Sequence, residues 1–128
     1  MSVRVLVVDD DPIVCRTLAL VLSRGGFDVS TASDAIPALE TADKQRPNIA
    51  VVDYNMPTCG LEVVRELKQR LNNDVFVAVL TGDDHPEMRE TCLSAGADAV
   101  LIKPIAPDEL RRRLSAAAVA LQAQLAAL

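Results

Sequence analysis

The sequence predicts an α/β fold: a five-stranded parallel sheet in the order 2-1-3-4-5, with helices on both faces. Three observations carry the prediction. Short apolar runs alternate five times with longer stretches of helical periodicity, as in repeated strand–helix units. The first, third and fourth runs are apolar almost throughout, which implies burial on both sides of the sheet. Prolines and glycines then mark the helix ends with the usual asymmetry, proline early and glycine late.

The first strand is expected over Val3 to Val8. A helix follows with Pro12 in its first turn, one stripe of Val14, Leu18, Val21 and Leu22, and Gly25 after its last turn. The second strand is Phe27 to Ala32. Proline is tolerated only in a first turn, so Pro37 places the start of the second helix near Asp34, with Leu39 and Ala42 inward. Ile49 to Val52 forms the third strand, and Val64, Leu67 and Leu71 form the stripe of the third helix. Val75 to Leu80 is the fourth strand. Pro86 opens a helix carrying Met88, Cys92 and Ala95, closed before Gly96, and Ala99 to Ile102 is the fifth strand. The last helix opens at Pro107.

That helix is expected to run on. Residues 115–128 are almost wholly alanine, leucine and valine, relieved by Gln122 and Gln124, and Leu114, Leu121 and Leu128 stand seven apart. The expectation is a single domain over 1–128, with 115–128 as an apolar extension of the last helix. Such an extension would serve as a dimer helix, lead to an output domain, fold back on its own domain, or stand as a frayed, exposed end. Arg111, Arg112 and Arg113 read as a solvated face.

Composition bounds the function. The 128 residues suit one compact domain. A net charge of -5 argues against direct contact with nucleic acid and against anionic membrane surfaces. No apolar run approaches the roughly 20 residues that span a bilayer, so no membrane anchor is expected. Cys15, Cys59 and Cys92 lack the paired spacing of a zinc or redox motif and read as reduced thiols of a cytoplasmic protein. The single histidine, His85, reads as an ordinary exposed loop residue.

In a sheet of this order, ligands bind beyond the carboxyl ends of the strands, where the strand order reverses. Asp9 and Asp10 follow the first strand, Asp53 ends the third, Thr81 the fourth and Lys103 the fifth. Two carboxylates about 4 Å apart repel by roughly 4 kcal/mol at an effective dielectric of 20. Such a cluster needs a proton or a cation, and oxygen donors suit magnesium. Thr81, Lys103 and the metal together could hold a tetrahedral anion at Asp53, an arrangement suited to phosphoryl transfer. Taken singly, each residue has an ordinary explanation: the aspartates cap a helix or make a turn. Their combination on four strand ends is what is specific.

Leu6-Val7-Val8-Asp9-Asp10, Asp53-Tyr54-Asn55-Met56-Pro57, Thr81-Gly82, Ala95-Gly96-Ala97-Asp98-Ala99 and Lys103-Pro104 together resemble the receiver domains of response regulators. The resemblance covers nearly the whole chain. It implies that Asp53 is the phosphoacceptor, that Asp9, Asp10, Asp53 and the backbone carbonyl of Asn55 bind Mg2+, that Thr81 is the switch hydroxyl, and that Lys103 pairs with the phosphoryl group. The donor would be a phosphohistidine on a sensor histidine kinase or phosphotransfer protein. The function implied is switching, with catalysis limited to the domain's own phosphorylation and dephosphorylation.

Three departures from the family pattern stand out. Val100 occupies the position, three before the lysine, where an aromatic is usual, so coupling is expected through Thr81 and the loop from Gly82 to Asp84. The loop from Asp53 to Gly60 looks one residue short. Ala106 stands where a capping hydroxyl is common, leaving Asp108 and Glu109 to favour the helix start. Two other function classes share this architecture: a phosphorylation-independent binding module, and a phosphohydrolase. The second normally needs an acidic residue two beyond the nucleophile, where this chain has Asn55.

Overall fold

A computed structural model describes residues 2–126. Its elements run β1 (Arg4–Val8), α1 (Pro12–Arg24), β2 (Asp28–Ala32), α2 (Ala35–Gln45), β3 (Ile49–Asp53), α3 (Gly60–Arg70), β4 (Phe76–Thr81), α4 (Pro86–Ser94), β5 (Ala99–Ile102) and α5 (Pro107–Ala126). The strands form one sheet in the order β2-β1-β3-β4-β5, every neighbouring pair parallel. Proline stands first in α1, α4 and α5, and α2 begins directly after Asp34, whose carboxylate accepts from the Ala35 N–H at 2.8 Å.

The apolar runs are explained by two cores, one on each side of the sheet. Leu6 and Val8, Ala50 and Val52, and Val77 and Val79 pack beneath α2, α3 and α4. The residues between them, Val5 and Val7, Ile49 and Val51, and Ala78 and Leu80, face α1 and α5. Period-two alternation therefore survives in these strands, with both faces apolar. The edge strand β2 is mostly polar and part exposed.

Strand bounds differ from expectation by one residue at several ends. Phe27 lies outside β2, because its N–H closes the end of α1 on the Leu22 carbonyl at 3.2 Å while its ring is buried in the core. Gly26, at φ 96°, supplies the left-handed residue that reverses the chain there; Gly25, at φ -78°, does not.

The last helix lays part of its apolar surface on its own domain. Leu110, Leu114 and Ala118 are buried against the sheet, and Leu121 packs on the same cluster. Leu114 is 1% exposed, so the heptad begins inside the domain's own core and this leucine is closed to a partner helix. Val119 faces outward, and Leu128 lies outside the described residues. No helix among the described residues is long and apolar enough to cross a membrane.

Candidate functional site

The strand register levels the functional side chains. Val8 lies opposite Val52, so the next residues, Asp9 and Asp53, emerge side by side from adjacent strands. Asp53 in turn faces Leu80, and Thr81 faces Ile102, which brings Thr81 and Lys103 to the same edge. Among the described residues the buried polar or charged side chains are Asp9, Asp53 and Thr81. Burying three such groups together is costly unless each is satisfied, and their partners define the site.

Asp53 is 4% exposed, and its Oδ1 accepts from Lys103 Nζ at 2.7 Å and from the Asn55 N–H at 3.3 Å. Asp9 is more constrained. Its Oδ1 accepts from the Asp11 N–H at 2.9 Å, and its backbone carbonyl accepts from the Cys15 thiol at 3.2 Å. Its Oδ2 is buried with no partner. Burial pushes the Asp9 carboxyl above its ordinary value of 3.8; the Asp11 amide opposes this, and the Asp53 charge adds to it. Asp10 is exposed, yet carboxylate oxygens of Asp9, Asp10 and Asp53 lie within 4.8 Å of one another.

This donor set fits a hard divalent cation. Oxygen ligands on two buried and one exposed carboxylate, one of them an orphaned oxygen, are what magnesium accepts while keeping waters of its own. Lys103 alone cannot fill that need, since it bonds Asp53 and leaves Asp9 Oδ2 without a donor. Asn55 sits on the exposed loop after β3, its backbone held close to the Asp53 carboxylate by the N–H bond.

The other predicted features also have definite places. Thr81 is 1% exposed, and its Oγ1 accepts from the Asp83 N–H at 3.1 Å. Val100 is buried in the core cluster under α4, so the side chain three before Lys103 is a packed aliphatic one. Two contributors carry little signal in the sequence. Gly60 opens α3 directly against the acceptor, so that a Cβ there would fall 2.3 Å from the Asp53 carbonyl oxygen. Its only sequence signal is a glycine closing the loop after Asp53. His85 is exposed as expected, but its Nδ1 lies 2.6 Å from Asp83 Oδ1, and Asp83, Asp84 and His85 form a second cluster of potential ligands. An aspartate two residues before a histidine is the available hint.

Residues 5–115 match the family described as response regulator receiver domain. The chain is 44% identical over 117 residues to the response regulator MprA of Mycobacterium ulcerans, covering 91% of this chain and 50% of that protein. It is 45% identical over 116 residues to the transcriptional regulatory protein PrrA of Mycobacterium leprae, covering 90% and 49%. The chain thus spans about half the length of these curated relatives. Among solved structures, chemotaxis protein CheY4 of Vibrio cholerae superposes with a TM-score of 0.85 at 30% identity, over 90% of this chain and 98% of that one. A CheY-like receiver domain from Methanospirillum hungatei gives 0.89 at 26% identity, over 97% and 99%.

Proposed function

This chain belongs to the response regulator receiver domains of two-component signalling, a family phosphorylated on aspartate, and on that premise we propose that Asp53 is its phosphoacceptor. The observation that carries the assignment is the buried Asp53 carboxylate, paired with Lys103 at 2.7 Å beside the orphaned oxygen of Asp9. The donor is a phosphohistidine on a sensor histidine kinase or phosphotransfer protein. An Asp53 carboxylate oxygen attacks phosphorus, the P–N bond breaks, and its electron pair leaves with the imidazole nitrogen.

The chain's own residues position and neutralise. Lys103 meets the negative charge that the phosphoryl group brings to Asp53, and the Thr81 hydroxyl donates to a phosphoryl oxygen. Asp9, Asp10, Asp53 and the Asn55 carbonyl would hold Mg2+, which would supply neutralisation of the phosphoryl charge. The product is a switched state, and no turnover of an added substrate is expected. With Val100 unable to act as a rotating aromatic, the change passes through Thr81 and the loop from Gly82 to Asp84 to α4. We assign the chain a single domain in the cytoplasm, with its output carried by a further domain or a second copy engaged through α5.

Intact-mass measurement after incubation with acetyl phosphate and magnesium tests this reading on wild type and Asp53→Asn. A single magnesium-dependent phosphoryl adduct, lost in the variant, is the expected result. No adduct in folded wild-type protein would overturn it and favour a phosphorylation-independent binding module.

A further inference from the structure

Two short turns follow Thr81 and lead directly into α4. The Asp83 N–H donates to Thr81 Oγ1 at 3.1 Å, and Asp83 Oδ1 accepts from both the His85 N–H at 2.9 Å and the His85 ring at 2.6 Å. His85 then caps α4, its carbonyl accepting from the Met88 and Arg89 N–H groups. A continuous chain of hydrogen bonds therefore joins the buried hydroxyl beside Asp53 to the first turn of α4, and its one titratable link in the neutral range is an imidazole.

We propose that His85 is a positioning residue for the switch: its protonated ring clamps Asp83, fixes the loop that presents Thr81, and so links proton binding at His85 to phosphoryl occupancy of Asp53. This inference rests on Asp53 being the acceptor. A hydroxyl oxygen that already accepts the Asp83 N–H turns its own proton outward, and accepting that bond makes it a better donor. The clamp holds Thr81 in this attitude, so the phosphorylated state favours protonated His85.

The charged groups facing His85 are Asp83 and Asp84 of its own loop, and both raise its pKa above the ordinary 6.5; the largest contribution is the hydrogen bond that the ring donates to Asp83. The His85 backbone N–H, and after it the His85 ring, hold Asp83 below its usual value. With three-quarters of its side chain exposed, His85 forms a weak ion pair, and the coupling is about two- to fivefold at most. Linkage is reciprocal, so phosphorylation must raise the His85 pKa by the same factor with which protonation favours the phosphorylated state.

His85 is the only histidine in the chain, so its ring gives a single resolved signal in NMR. The experiment titrates that signal between pH 5 and 9 in the resting protein and in protein loaded with acetyl phosphate and magnesium, with loading followed by mass. The expected result is an upward shift of the midpoint on loading in wild type, much reduced in Asp83→Asn. The self-dephosphorylation rate should also change about twofold or more across the His85 titration in wild type and lose that step in His85→Gln. An adduct with an unmoved His85 midpoint overturns the inference and leaves Asp53 as the acceptor. An equal shift in Asp83→Asn overturns it too, because the shift then comes from the field of the phosphoryl charge alone. Absence of any adduct removes the acceptor assignment and this inference together.

Discussion

Replacing Asp9 by asparagine should stabilise the metal-free protein. Oxygens of Asp9, Asp10 and Asp53 lie within 4.8 Å of one another, and two unit charges at that separation repel by about 3.5 kcal/mol at an effective dielectric of 20. Lys103 offsets part of this through Asp53, at 2.7 Å. Asparagine keeps Oδ1 for the Asp11 N–H and puts an amide donor where Oδ2 now lacks a partner. The net gain expected is about 1–3 kcal/mol, or about 4–10 °C in Tm for a domain of this size. Urea unfolding in chelator, and again with magnesium, measures it. Wild type should gain stability with magnesium and the variant little, since ligand binding stabilises only the state that binds.

The pH dependence has a definite sign. Burial raises Asp9 above 3.8 in the folded chain, so above that pH the folded state retains a proton that the unfolded state has released. Stability due to Asp9 therefore falls as pH rises through the window between 3.8 and the raised value. The advantage of Asp9→Asn over wild type should accordingly be smallest near pH 4 and grow toward neutrality. A variant less stable than wild type in chelator by more than about 1 kcal/mol, or an advantage that shrinks with rising pH, would refute the account of a strained acidic pocket.

Other substitutions probe the frame that holds the site. Gly60→Ala places a Cβ 2.3 Å from the Asp53 carbonyl oxygen and should cost about 1–3 kcal/mol; acetyl phosphate labelling should slow with it, because the strain falls on the acceptor's own backbone. Leu114→Ala, at a position 1% exposed, should cost about 2–5 kcal/mol in urea unfolding. Val119→Ala on the outer face of the same helix should stay within about 0.5 kcal/mol, and similar costs at the two positions would contradict the packing of α5.

Much of the site is legible in the amino-acid order. A run such as Val5 to Val8 can be buried on both sides only in a covered parallel sheet, and in such a sheet polar residues at strand ends meet at one edge. Asp9, Asp53, Thr81 and Lys103 are therefore visible from their places after four apolar runs. Pro37 and Asp34 fix the start of α2, because a ring that lacks an N–H is tolerated only where helical N–H groups have no partner.

Tertiary structure decided what depends on contacts between distant segments. The orphaned oxygen of Asp9 arises from the depth of burial and the supply of donors nearby, neither of which sequence spacing encodes. The close approach of Gly60 to Asp53 follows from how the loop folds back on the end of β3. The heptad leucines leave open a partner seam or a helix folded on its own domain, and Leu114 belongs to the core, because the same periodicity serves a helix lying on its own sheet. Local periodicity and strand order are enough to say which residues reach the functional edge; which of their atoms are satisfied, and which still lack a partner, depends on the packed chain.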